Sequence, residues 1–117
     1  MGIKVGFITT TTPKTINIIK EGLSNFLNFE DFDLITSSEK VSFDKPNPEV
    51  YKFALKELGI SPHEAVAIED TIVNQSCAAN CGIDCYLYPG EYASISYNDM
   101  TGKKYISEKS EFSEVII

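Results

Sequence analysis

The chain has 117 residues, 43% of them hydrophobic and 23% charged, and a formal net charge of −7. That length and balance fit one soluble domain with a modest core. The acidic surplus counts against nucleic acid and anionic membrane as partners, since both repel a negative surface.

Lys4 to Thr9 reads as a buried strand that runs into a turn. Pro13 suits the first turn of a helix, and Ile16, Ile19, Leu23, Phe26 and Leu27 recur at helical spacing through about residue 27. Phe32 to Thr36 reads as a second strand, and Ser37 to Lys45 as a polar loop. Asn47 is expected as the N-cap of the next helix, with Pro48 at its first position. Val50, Tyr51, Ala54, Leu55 and Leu58 form its apolar stripe, and Gly59 ends it.

Ser61 to Glu64 has the pattern of a capping-box turn. Ala65 to Ile68 reads as a third strand, ending at Glu69-Asp70. Thr71 to Cys81 is expected to be a helix with small residues on one face and Gly82 as its cap, and Asp84 to Tyr88 a fourth strand. From about residue 93 the periodicity fades into a C-terminal tail, with Tyr105-Ile106 and Val115 to Ile117 as candidate short strands. Strands alternating with helices imply an α/β domain with a parallel sheet.

Cys77, Cys81 and Cys85 are odd in number and contain no Cys-x-x-Cys pair. They read as buried thiols, which fits a reducing, cytoplasmic setting. The N-terminal run is not patterned as a signal peptide, and no apolar run approaches the roughly 18 residues of a membrane span. His63 is the one histidine and reads as a surface residue of its turn.

In open α/β sheets, ligands bind at the carboxyl ends of the strands. Thr9 and Glu69-Asp70 are placed at such ends, and Lys45 follows the second strand by one loop. Thr9 to Thr12 supplies hydroxyls and N–H groups just before a helix, a setting for phosphate, though threonine is also an ordinary capping residue. Lys45, stiffened by Pro46, suits a fixed positive charge on a phosphate, or a plain surface lysine. Adjacent carboxylates at a strand end suit magnesium, or could simply cap the following helix.

These residues resemble a known family. The Thr9 strand, Lys45-Pro46-x-Pro48-x-x-Tyr51, and Ile68-Glu69-Asp70-Thr71 followed by Ala78-Ala79 and Gly82 resemble the haloacid dehalogenase-like hydrolases. Within them the chain is similar to the β-phosphoglucomutase and sugar-phosphate phosphatase branch. The resemblance implies a truncated three-layer Rossmann-like core with a mainly parallel sheet. It also implies Mg2+ as cofactor and a phosphorylated small molecule, a sugar phosphate, as ligand. Thr9 and the N–H of Thr10 would bind the transferring phosphoryl group, and Lys45 would neutralise it. Thr9 and Lys45 are thus the implied catalytic residues; Asp70 would ligate the metal, with Glu69 as co-ligand.

The chain departs from the family pattern. No Asp-x-Asp strand, the family's source of nucleophile and general acid, precedes these motifs, and the cap that selects substrate is absent. Asp31-Phe32-Asp33 is the nearest string, but it precedes a strand instead of ending one. Asn74 stands where glycine is usual, and Cys77 where alanine is usual. The expectation is therefore a partial, inactive domain. Its alternatives are a non-catalytic phosphate-binding or interaction module, or one half of a split phosphatase. The missing central strand would be replaced by closure of its neighbours, by Val115 to Ile117, or by a homodimer or strand-donating partner.

Overall fold

The computed structural model describes residues 2–88, and the alternation read from the sequence is present in them. In chain order the elements are β1 (Gly6–Phe7), α1 (Pro13–Gly22), β2 (Leu34–Ile35), α2 (Glu49–Leu58), β3 (Val66–Glu69), α3 (Ile72–Ala79) and β4 (Asp84–Leu87). Short 3₁₀ turns lie at Phe29–Asp31, Ser38–Lys40 and Pro62–Glu64. The chain divides into two compact units, Met1–Ile60 and Ser61–Ile117. The segments Tyr105-Ile106 and Val115 to Ile117 lie outside the described residues, as does the rest of the tail from residue 93.

In the first unit β1 and β2 pair in parallel, Gly6 opposite Leu34 and Phe7 opposite Ile35. Both strands are shorter than their apolar runs because side chains take over the ladder at each end. The Val5 N–H donates to Asp33 Oδ2 at 2.7 Å, and the Thr9 N–H donates to Thr36 Oγ1 at 2.7 Å. Phe7, Phe29 and Phe32 form a ring cluster with centroids 5.5 to 5.9 Å apart. Ile16, Val50, Tyr51 and Ala54 are buried, and α2 packs against β2.

Helix α1 stops at Gly22, short of the expected residue 27. Gly22, Ser24 and Asn25 are poor helix formers, and the Ser24 hydroxyl donates to the Glu21 carbonyl at 3.0 Å. Phe26 is consequently 80% exposed instead of joining the core stripe. Helix α2 begins at Glu49 with Pro48 in the cap position. Asn47 still serves that end, since its Oδ1 accepts from the Glu49 N–H at 3.0 Å. Gly59 takes φ +67° and closes α2 in the left-handed cap that a glycine adopts without strain.

In the second unit β3 and β4 pair in parallel, from Val66 opposite Asp84 to Glu69 opposite Leu87. α3 packs on both strands, with Cys77 and Ala78 buried. Gln75, also buried, donates from Nε2 to the Cys85 carbonyl at 2.9 Å and ties the helix to the strand. Small side chains at the contact let helix and sheet approach closely. The three cysteines form no disulfide, and Cys77 and Cys85 are buried as expected. Among the described residues β1 has β2 as its one ladder partner, and β3 has β4. No helix among them is long and apolar enough to cross a membrane.

Candidate functional site

In the first unit the residues expected to hold phosphate come together at the carboxyl end of β1. Lys45 sits in the loop before α2 and is half-buried. Its Nζ donates to the Ile8 carbonyl at 2.8 Å and stands 5.2 Å from the centroid of the Tyr51 ring. Tyr51 is buried on α2, one turn from the proline-rich start of the helix. A carbonyl and an aromatic face thus hold the ammonium, both favourable to a cation. This lysine is seated in the fold, which a plain surface lysine would not be.

The threonines divide their work. Thr12 is the N-cap of α1, its Oγ1 accepting from the Thr15 N–H at 3.2 Å. Thr9 caps nothing. Its hydroxyl accepts from the Thr11 N–H and donates to the Thr11 hydroxyl, both at 3.1 Å, which forms a tight turn. Its backbone is gripped by Thr36, whose Oγ1 accepts from the Thr9 N–H and donates to the Thr9 carbonyl, each at 2.7 Å. The Thr10 N–H makes no hydrogen bond among the described residues, and α1 begins three residues later. That N–H is the donor this turn offers to an anion.

The contact of Thr36 with Thr9 is not foreseen by the sequence, which marks Thr36 only as a strand end. A hydroxyl closing an apolar run was its one local signal. The contact depends on the β1–β2 register, which no spacing within the chain reveals.

In the second unit Glu69 ends β3 and Asp70 follows in the bend before α3. The Glu69 side chain is buried, its carbonyl accepting from the Tyr88 N–H at 2.8 Å, and Asp70 is exposed. Thr71 caps α3, its Oγ1 accepting from the Asn74 N–H at 3.1 Å. The ordinary capping role is therefore filled by Thr71, next to the acidic pair. Two hard carboxylate oxygens at a strand end fit magnesium, which binds one or two carboxylates and completes its shell with waters and phosphate. Among the described residues no group of three or more His, Cys, Asp or Glu could hold a metal.

The Asp31-Phe32-Asp33 string lies at the other end of the strands. Asp33 precedes β2, and its carboxylate is held on the Val5 N–H at the amino end of β1. His63 is exposed on its 3₁₀ turn.

Residues 1–88 match the model of a family described as haloacid dehalogenase-like hydrolase. The CbbY protein of Cereibacter sphaeroides is 33% identical over 91 residues, which cover 78% of this chain and 40% of that protein. Hexitol phosphatase B of Escherichia coli is 32% identical over 71 residues, 61% of this chain and 31% of its own length. The crystal structure of CbbY from Rhodobacter sphaeroides with phosphate bound superposes with a TM-score of 0.76 at 29% identity, over 91% of this chain and 46% of that one. The chain thus spans less than half the length of these relatives.

Proposed function

From the premise that the chain belongs to the haloacid dehalogenase-like hydrolases, we propose that it is the phosphate- and magnesium-holding part of a sugar-phosphate phosphatase or phosphomutase, inactive by itself. The observation that carries this reading is the Lys45 ammonium seated on the Ile8 carbonyl, next to the Thr9–Thr10 turn. A phosphate there would meet the Thr10 N–H and the positive end of α1, with Lys45 supplying countercharge. Most catalysis of phosphoryl transfer is positioning and charge neutralisation, and these groups serve both. Asp70, with Glu69, would hold Mg2+, which would supply positive charge for phosphoryl-transfer chemistry. A sugar phosphate is the substrate class, by likeness to the hexitol phosphatase.

Inactivity rests on the nucleophile. The 117 residues hold one Asp-x-Asp string, and it is placed at the amino end of β1, away from Thr9. No carboxylate of that string would face a phosphate at the Thr10 N–H. The thiols of Cys77, Cys81 and Cys85 support a cytoplasmic setting.

A second reading is that another polypeptide completes the enzyme by adding a strand. β3 has one ladder partner among the described residues, and Val66 and Ile68 on it are 51% and 40% exposed. Two apolar side chains on one face of an edge strand are a setting for strand addition.

The test is magnesium-dependent hydrolysis of a generic phosphate ester by the purified chain, beside Asp70→Asn. No turnover above the control is expected. Turnover that Asp70→Asn abolishes would show that the nucleophile is present in this chain and that the inactive reading is wrong.

A further inference from the structure

The hydrogen bonds around Thr9 run head to tail. Lys45 Nζ donates to the Ile8 carbonyl at 2.8 Å. The same peptide unit presents the Thr9 N–H on its opposite side, because a trans peptide points its C=O and N–H in opposite directions. That N–H donates to Thr36 Oγ1, and the Thr36 hydroxyl donates to the Thr9 carbonyl, both at 2.7 Å. The next peptide unit then presents the Thr10 N–H on its far side. Each group accepts on one side and donates on the other, all in one direction. A charged donor at the head polarises every member that follows, so each becomes a better donor.

We propose that Thr36 is a positioning residue that links Lys45 to the anion-binding N–H of Thr10. Its hydroxyl fixes the orientation of two successive peptide units and carries the polarisation of the lysine between them. Thr36 suits this task. It is fully buried, so water does not compete for its hydroxyl, and it is held in register because its own N–H donates to the Phe7 carbonyl at 3.0 Å. Valine there would keep the shape and remove both bonds. Serine would keep both bonds. The inference rests on the phosphate reading above only for its consequence, since the linkage itself is a property of the free chain.

The experiment compares Thr36→Val and Thr36→Ser with the wild type by amide NMR, followed by titration with inorganic phosphate. In Thr36→Val the Thr9 amide is expected to lose protection from exchange, and the Thr10 amide proton to shift upfield as its donor strength falls. Phosphate should bind about three- to tenfold more weakly, the effect of one lost hydrogen bond. Thr36→Ser should restore all three. A Thr36→Val protein with unchanged Thr9 protection and Thr10 shift would overturn the proposal, and so would a Thr36→Ser protein that behaves like valine. If wild type binds no phosphate, the functional reading fails, while the two amide readouts still judge Thr36. If Thr36→Val does not fold, the wild type decides. A slowly exchanging Thr36 hydroxyl proton with a cross-peak to the Thr9 amide is expected, and its absence would refute the linkage.

Discussion

Replacing Lys45 by methionine removes one charge and keeps most of the apolar stem. The change removes the 2.8 Å bond to the Ile8 carbonyl and the contact 5.2 Å above the Tyr51 ring, among others. A hydrogen bond from a charged group contributes about 1.5–3 kcal/mol, and a cation–ring contact in which the cation stays partly in water about 0.5–1 kcal/mol. Lys45 is half-buried, so solvent recovers part of both, and a net loss of roughly 1–2 kcal/mol is expected. With an m-value near 1–3 kcal/mol/M, the urea midpoint should fall by about 0.3–2 M. Lys40→Met is the control, since that lysine is exposed at the end of a 3₁₀ turn and should change stability by less than about 0.5 kcal/mol. Urea denaturation followed by fluorescence of the tyrosines measures both. Equal midpoints for the two variants would refute the argument that Lys45 is seated in the fold, and with it the reason for preferring it over an ordinary lysine.

Three further outcomes follow from the geometry. Leu87→Ala empties a fully buried position on β4 and should cost about 2–5 kcal/mol in the same assay, the range for a large core truncation. Paramagnetic Mn2+, used in place of magnesium, should broaden amide signals around Glu69 and Asp70 first, and Asp70→Asn should abolish that pattern; broadening centred elsewhere would reject the acidic pair as the metal's ligands. The Glu64 carboxyl lies below its ordinary 4.5, held there by the Ser61 N–H, then by the Ser61 hydroxyl, and more weakly by His63. A lowered folded value means the capping box adds stability above the unfolded value and loses it as pH falls through the folded one. Glu64→Gln should therefore be less stable than wild type at neutral pH, and the gap should close under acid.

Most of the secondary structure was legible because its causes are local. Pro13 and Gly59 mark a helix start and a helix end by backbone sterics alone, and the stripe Val50-Tyr51-Ala54 follows from one helical period. Ser61 and Glu64 find each other within four residues. The errors came where local signals conflict. Leu23, Phe26 and Leu27 keep helical spacing past Gly22, yet the intervening glycine, serine and asparagine end α1 first. The strands shrank because Asp33 and Thr36 replace backbone partners with side chains, a choice set by pairing across about 30 residues of chain.

The candidate site was legible as residue types, less so as an arrangement. Lys45, Thr9, Thr10, Glu69 and Asp70 are marked by motif and by position at strand ends. Nothing in the spacing says that Thr12 and Thr71 do the capping, and that assignment is what separates Thr10 and Asp70 from ordinary helix starts. Nor could it show Tyr51 beneath Lys45 or Thr36 around Thr9, since both contacts depend on how the elements of the first unit pack.

The most direct test of the account is a titration of the wild-type chain and Lys45→Met with inorganic phosphate, read at the backbone amides. The account predicts a saturable shift largest at Thr10 and its neighbours Thr9 to Thr12, weakened at least about tenfold in Lys45→Met, as for a lost charge-assisted contact. Saturable binding with equal affinity in both proteins, or no response at Thr10, would contradict it.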